Sequence, residues 1–427
     1  VETRRIQIIT VGDEVLRGEV REDNAEFLSR ALIRAGLEPE RIVVLPDDMD
    51  ALVREFRDAA ERGGLIIVTG GLGPTVDDIT KEAVIRALGL ETEFHREIVE
   101  AVAVRLRDWS REMPEGYKDQ GRIPVGSEPL PNPLGLAIGL RIPGNDFEIY
   151  LLPGVPAEMK AMFEGSVFPR LGAPGQEASI RMRTFGFMET QVEDSLRPVL
   201  PPEVFGRVSL ISSPKGVDAY VPRDAGEAAI AGVLKALGRH VYAQGNASLE
   251  ETVVKLLIHR KLTVSTSESV TGGLLASTMI SVPGASDAFR EGFITYSNEA
   301  KVSRLGVSSQ TLGEFGAVSA EVCAEMAAGT RRVAATDFAL STTGIAGPTG
   351  APPEKPVGLC FVGIAGPEGL YARKLQIIGD RDTVRLRAVY FALDTLRLLL
   401  TGEVVALEAF RFAKTGAGAR KTKGTRK

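Results

Sequence analysis

The first third of the chain alternates short apolar runs with amphipathic segments, and this alternation restricts the fold more than any other feature. Ile6 to Val11 reads as a largely buried strand. Residues 23–36 carry Phe27, Leu28, Ala31, Leu32 and Ala35 at helical spacing, with Asp23 or Asn24 at the start and Gly36 at the end. Ile42 to Leu45 is a second strand. A second helix over 48–62 uses Leu52, Val53, Phe56, Ala59 and Ala60. Leu65 to Val68 is a third strand that runs into the glycine-rich turn TGGLGPT. Parallel strands need crossover connections, so this order predicts an α/β sheet of parallel strands with helices on both faces.

A length of 427 residues, at about 100–200 residues per domain, predicts two to four domains. Residues 1–172 form the first. Within it residues 90–145 are less regular, with proline-punctuated loops such as PLPNPLG, before a strand EIYLLPG and a helix AEMKAMF close it. LGAPGQ at 171–176 reads as a linker. Residues 177–245 mix short strands with helices and read as a small α+β connector. Residues 248–404 read as a second α/β domain: strand LTVSTSES, helix TGGLLASTMI, strand GFITYS, helix NEAKVSRLG closed by Gly306, three further strands and a long final helix. The basic tail 410–427 has no apolar periodicity and reads as disordered.

A hydrophobic fraction of 44% with 25% charged residues is that of an ordinary globular protein. The formal net charge of −5 argues against direct nucleic-acid or anionic-membrane binding. Cys323 and Cys360 both sit in apolar runs and read as reduced core residues. His95, His240 and His259 match no metal spacing, so neither a histidine-based hydrolase triad nor a histidine zinc site is expected. No signal-peptide pattern and no membrane-spanning apolar stretch is recognisable, so a cytoplasmic location is the expectation.

Two segments carry chemistry. In Thr69–Thr75, Gly70, Gly71 and Gly73 let backbone N–H groups approach an anion, with Thr75 beside them and a helix start behind. Asp47 and Asp48 follow the preceding strand, and Asp77 and Asp78 follow the glycine turn, at the sheet end where ligands of open α/β sheets bind. Carboxylates beside a phosphate site suit Mg²⁺; Asp77 and Asp78 read equally well as helix-capping acids. VGDEVLRGEVREDNAEFL, TGGLGPTVDDITKEA and LLPGVPAEMKAMF together resemble the N-terminal domain of the CinA family, which shares its fold with MoaB/Mog-type molybdopterin-binding proteins. The resemblance implies binding of ADP-ribose and hydrolysis of its pyrophosphate with a divalent metal, and places Asp47 and Asp78 as the metal ligands. The chain departs from the family pattern at Asp13, at Lys118-Asp119-Gln120 and in NPLGLAIG. Residues 177–245 resemble the KH-like connector of the same family but lack the GXXG loop of an RNA-binding module.

In the last domain SESVTGG, PGAS, GFITYSNEAK, TTGIAGPTG, PEKPVG and GDRDTVR occur in the order of the CinA C-terminal, or nicotinamide-mononucleotide deamidase, family. Amide hydrolysis without histidine needs a serine activated by another base, and a lysine serves if burial lowers its pKa. The resemblance implies Ser286 as nucleophile and Lys301 as base, with Tyr296 and Ser269 in the site and no cofactor. Thr271, Gly272, Gly273, Gly344 and Gly347 offer N–H donors for a phosphate or an oxyanion, and Arg381 and Arg385 are candidate phosphate ligands that read equally as surface charge. Nicotinamide mononucleotide and ADP-ribose are the expected small-molecule partners, in a homodimer. Two rival expectations are a non-catalytic competence and DNA-damage scaffold for a RecA-type partner, and molybdopterin binding by the first domain, the latter on fold analogy alone.

Overall fold

The computed structural model describes residues 5–171, 179–349, 354–403, 408–411 and 420–421. It divides into two compact units, the first ending at Ala178 and the second beginning at Ser179. The first unit contains strands β1 (Ile6–Val11), β2 (Arg41–Leu45), β3 (Gly64–Thr69), β4 (Thr92–Phe94), β5 (Arg122–Pro124), β6 (Glu128–Leu130), β7 (Gly139–Pro143) and β8 (Phe147–Leu152). Its helices are α1 (Asp13–Leu16), α2 (Asn24–Arg34), α3 (Met49–Arg62), α4 (Thr80–Leu88), α5 (Arg96–Asp108) and α6 (Pro156–Met162).

The main sheet runs β2-β1-β3-β8-β7-β6. The four strands β2, β1, β3 and β8 are parallel, as expected, while β7 and β6 return antiparallel. The sheet is therefore mixed, because the proline-punctuated segment before β8 supplies a hairpin edge rather than another crossover unit. Side chains alternate across the strands. Ile9, Val11, Ile66, Val68, Ile149 and Leu151 enter a core with Leu52 and Phe56 of α3. Ile6, Ile8, Leu65, Ile67, Tyr150 and Leu152 enter the opposite core with Leu28 and Leu32 of α2 and Met159 and Met162 of α6. Burial on both faces accounts for the near-continuous apolar runs. Asp48 is spent locally as the N-cap of α3, accepting from the Ala51 N–H at 2.8 Å.

In the second unit, β9 (Ser179–Thr184), β10 (Ser209–Ser213), β11 (Gly216–Pro222) and β12 (Val241–Gln244) form an antiparallel sheet in the order β10-β11-β9-β12, with α7 (Glu189–Leu196), α8 (Pro202–Phe205) and α9 (Glu227–Leu237). It has its own core around Met182, Val192, Leu196, Ala219 and Val233. Phe185 and Tyr242 instead join the core of the following domain. A buried ion pair, Asp394–Arg397, adds to that junction: Arg397 also donates to the Arg239 carbonyl at 2.7 Å.

The last domain contains α10 (Leu249–His259), α11 (Leu274–Ile280), α12 (Asn298–Leu305), α13 (Ser309–Phe315), α14 (Ala320–Ala334) and α15 (Arg381–Thr401). Its sheet runs β14 (Phe289–Ile294), β13 (Val264–Glu268), β15 (Phe338–Gly344), β16 (Leu359–Gly366), β17 (Gly369–Gln376), β18 (Glu408–Arg411) and β19 (Arg420–Lys421). β13 is parallel to both β14 and β15, and the remaining pairs are antiparallel. The tail read as disordered thus contributes two short strands, because β17 offers an edge whose N–H and C=O groups β18 pairs; the other tail residues lie outside the described residues. Cys323 and Cys360 are both free and buried, and burial pushes each thiol up to about 12. Among the described residues no helix is long and apolar enough to cross a membrane.

Candidate active sites

In the first unit, Gly12, Asp47, Gly70 and Gly154 follow the carboxyl ends of β1, β2, β3 and β8, and together they border a cavity of about 620 Å³. Gly70 is required by the backbone. Its φ is +101°, and a Cβ there would lie 2.1 Å from the Val11 carbonyl oxygen. Gly71 and Gly73 also line the cavity, as do Trp109, Tyr117 and Glu158.

The carboxylates expected around this turn divide into two kinds. Asp78 is satisfied inside the turn: its Oδ2 accepts from the Thr75 N–H at 2.9 Å and from the Thr75 hydroxyl, which also donates to Asp77. Asp77 and Asp78 precede α4 without capping it, since the N-cap is Ile79. Asp47 accepts from the Asp13 N–H at 2.9 Å, and Asp13 Oδ1 receives the Asp47 N–H at 3.3 Å. Burial raises the Asp47 pKa, and the charges of Asp13, Glu14 and Asp77 raise it further, against the Asp13 hydrogen bond. Such crowding of like charge fits a divalent cation. Among the described residues no three carboxylate, histidine or cysteine groups are gathered closely enough to enclose one. A bound ion there would draw its remaining ligands from phosphate oxygens or water, which is the habit of Mg²⁺. Gln120 holds the loop between Asp77 and β3, donating to the carbonyls of Leu72 and Gly73 at 2.9 and 3.2 Å.

In the last domain the expected residues converge at the carboxyl ends of β13 and β15, with one exchange of partners. Lys301 lies on α12 and is 1% exposed. The helix is capped by the Ser297 hydroxyl, which accepts the Ala300 N–H at 3.1 Å. Its Nζ lies 2.9 Å from the Thr295 carbonyl, 3.1 Å from that of Tyr296 and 3.3 Å from Ser269 Oγ. Among the described residues it has no carboxylate partner. Burial holds its amine below the usual lysine pKa, with Cys323 and Glu299 opposing weakly.

Ser269, half-buried on the turn after β13, is therefore the hydroxyl beside the lysine. Ser286, expected in that place, is exposed on a short turn at 285–287, where its carbonyl accepts from Arg290 at 3.2 Å; among the described residues no hydrogen bond joins it to Lys301. The two serines stand at equivalent-looking small-residue turns in the sequence, and only the position of α12 distinguishes them. Tyr296 contributes its carbonyl, and its ring is 67% exposed.

The sequence reading overlooked Glu268. It is 1% exposed, and its carboxylate accepts from the Thr271 hydroxyl at 2.6 Å and from the N–H groups of Gly273, Leu275 and Ala276 at 2.9, 2.9 and 2.8 Å. The Gly273 N–H, expected to face a phosphate or oxyanion, is thus already taken by an internal anion, as are those of Leu275 and Ala276 in the first turn of α11. Gly273 has φ +96°, which brings the chain round to present them. The N–H groups of Val270, Thr271 and Gly272 have no acceptor among the described residues and adjoin Ser269. An acidic residue ending a strand immediately before a glycine turn and a helix start was the available signal.

The loops around this point are tied to the N-terminal end of α15. Arg385 Nη2 donates to the Thr271 carbonyl at 3.0 Å, and Arg381 Nη1 donates to the Gly347 carbonyl at 2.8 Å. Gly344 ends β15 in register with Cys360. Each arginine uses part of its guanidinium on a loop and keeps other N–H groups.

Two family models match the chain: "CinA C-terminal domain" over residues 246–400, and "Probable molybdopterin binding domain" over residues 7–173. A CinA-like protein from Kosmotoga olearia is 40% identical, over 93% of this chain and 99% of its own length. The chain belongs to the CinA family. A putative competence-damage inducible protein from Thermoanaerobacter pseudethanolicus is 42% identical over 93% of this CinA-family chain and 99% of its own. Among solved structures, a competence/damage inducible protein from Agrobacterium tumefaciens is 37% identical, covering 36% of this chain and 93% of that one with a TM-score of 0.35. A CinA protein of unknown function from Thermoplasma acidophilum is 29% identical, covering 40% and 100% with a TM-score of 0.38.

Proposed function

We propose that the last domain hydrolyses the carboxamide of nicotinamide mononucleotide, giving nicotinate mononucleotide and ammonia, with Ser269 as nucleophile and Lys301 as general base. The observation that carries this reading is a buried amine, without a carboxylate partner among the described residues, 3.3 Å from a partly accessible serine hydroxyl. Desolvation favours the neutral amine, which alone can accept a proton. A separation of 3.3 Å is long for a hydrogen bond, as catalytic contacts often are before substrate binds.

In the first step Ser269 Oγ attacks the carboxamide carbon and its proton passes to Lys301 Nζ. The N–H groups of Val270, Thr271 and Gly272 are the donors available to the resulting oxyanion. Collapse breaks the C–N bond, and Lys301 returns the proton to the departing nitrogen as ammonia. Water then attacks the Ser269 ester carbon with Lys301 accepting its proton, and Lys301 returns that proton to Ser269 Oγ as the C–O bond breaks and nicotinate mononucleotide is released. Arg381 and Arg385, anchored to the loops on either side, are suited to the 5′-phosphate. Ammonia release from nicotinamide mononucleotide by purified protein, absent in Ser269→Ala, tests this reading; full activity in that variant overturns it.

For the first unit we propose metal-dependent hydrolysis of a nucleoside diphosphate sugar of the ADP-ribose type. The support is the cavity at the strand ends and the like-charge crowding at Asp47. Asp47, with the free Oδ1 of Asp78, would hold the ion, which supplies charge neutralisation at the phosphates when bound. Gly70, Gly71 and Gly73 let the substrate approach the backbone, and Trp109 and Tyr117 provide flat apolar surface at the cavity wall. The test is release of AMP from ADP-ribose with added Mg²⁺ or Mn²⁺, and its absence under all divalent ions tested overturns the reading.

A further inference from the structure

Where the small antiparallel sheet meets the last domain, basic side chains gather around one aromatic ring. Phe391 of α15 is half-buried and receives the edge of Phe185 at 4.9 Å between centroids. The guanidinium carbon of Arg373, from β17, lies 5.1 Å from the Phe391 centroid, and that of Arg387, one turn earlier on α15, lies 5.7 Å from it. Arg239 stands near enough to oppose the charge of Arg373, although burial is the larger influence on that group, and Asp394 favours the charge. Burial likewise disfavours the charge on Arg387.

The surroundings do not balance this charge. The hydrogen bond made by Arg373 is to the Thr395 hydroxyl, at 3.2 Å. Among the described residues Arg387 makes no hydrogen bond and no ion pair. The nearest buried carboxylate, Asp394, gives its Oδ1 to two bonds from Arg397, at 2.7 and 3.0 Å. On the far side of the junction Asp218 is held by Arg181 and Arg183, and Glu250 accepts from Tyr390. Guanidinium groups do not deprotonate in the physiological range, so desolvation cannot neutralise them as it does a lysine. Two partly buried arginines on one ring, short of acceptors, are unfavourable unless an anion completes them.

We propose that this crevice binds a small phosphate-bearing anion, with Arg373 and Arg387 as its principal ligands. A diphosphate offers enough acceptor oxygens for two guanidinium forks, and Phe391 holds the forks in place from beneath. The overall charge of −5 favours a compact anion over a polyanionic strand. None of its residues takes part in the reaction proposed at Ser269, and its existence does not depend on that reaction.

The probe is inorganic pyrophosphate, titrated calorimetrically into the full-length protein at low ionic strength. Saturable binding is expected, weakening as salt is added. Arg387→Gln, which loses no hydrogen bond among the described residues, should weaken that binding at least tenfold with an unchanged melting temperature. Arg373→Gln should do the same, and Arg387→Lys should restore part of the loss. Arg96→Gln, an exposed arginine of α5 in the first unit, should bind like the parent. Parent-like pyrophosphate binding in Arg387→Gln, or no saturable binding in the parent, overturns the proposal. So does Arg387-dependent binding of a single-stranded oligonucleotide without any of pyrophosphate, which would make the crevice a strand-binding surface.

Discussion

Replacing Glu268 by glutamine changes one atom and should unsettle the whole turn that presents Ser269. Oε2 accepts three hydrogen bonds, from Thr271, Gly273 and Leu275, and Oε1 accepts one from Ala276. The amide oxygen of glutamine can take the place of Oε2, but its NH₂ then faces the Ala276 N–H, donor against donor. An unsatisfied buried donor costs about 1–3 kcal/mol, and the three surviving bonds lose the strengthening that a charged acceptor gives, together about 1–2 kcal/mol more. The expected loss is roughly 2–5 kcal/mol. For a domain of this size each kcal/mol moves the midpoint by about 2–4 °C, so the last domain should melt roughly 4–20 °C lower. Differential scanning calorimetry on the full chain would resolve this transition from that of the first unit. Ammonia release at a temperature where the variant stays folded should fall by about one to two orders of magnitude, since the Ser269 turn loses its anchor. A midpoint within 1 °C of the parent would refute the argument, because it would mean that the four donors find other acceptors at no cost.

Ser269→Ala should remove nearly all deamidation while substrate binding, followed calorimetrically, stays within a few-fold; Ser286→Ala should retain activity within a few-fold, and the opposite ranking would return the nucleophile to the 285–287 turn. Lys301→Arg should be nearly inactive, because arginine keeps the charge but cannot accept a proton near neutrality; substantial activity would leave Lys301 a binding residue only. Because burial lowers the Lys301 pKa, the protonated and inactive form should dominate at low pH, and turnover should rise with pH and level off below the range where exposed lysines titrate; a flat profile speaks against the neutral amine. Asp47→Asn should abolish metal-stimulated ADP-ribose hydrolysis and leave ammonia release intact, and equal loss of both would contradict independent sites.

The strands β1 and β3 were legible because each is buried on two faces, so Ile6 to Val11 and Leu65 to Val68 carry apolar residues without the polar alternation of a half-exposed strand. The hairpin of β6 and β7 was not, since strands of 3 and 5 residues interrupted by Pro129 and Pro143 give no period to read. In the last domain the lysine and Ser269 were both placed in the site from their motifs, but the serine expected to act with the lysine was Ser286. Ser269 precedes the glycines of a turn and Ser286 follows Gly284 and Ala285 of another, and the choice between them depends on where α12 lands, a contact 32 residues apart along the chain from Ser269. The role of Glu268 escaped for a related reason. A glutamate in a serine-rich strand reads as solvent-facing until the strand is known to be buried along its full length. Residues such as Arg381 and Arg385 were read equally as surface charge and as ligands, and their geometry explains the ambiguity: each donates to a loop carbonyl, and Arg385 also pairs with Asp382.

Both thiols of this chain lie in one domain, at Cys323 of α14 and Cys360 of β16, and both are sealed from solvent. An alkylating reagent reacts with thiolate, which neither site supplies while that domain is closed. The first unit contains no cysteine at all. The unmodified protein therefore has a built-in clock for one of its parts. The rate at which iodoacetamide or a maleimide consumes its two sulfhydryls measures how often the last domain opens, and it is blind to breathing in the first unit. Mass spectrometry of intact protein would count zero, one or two adducts per molecule. The absence of singly labelled species would show that the helix and the strand are uncovered in the same event.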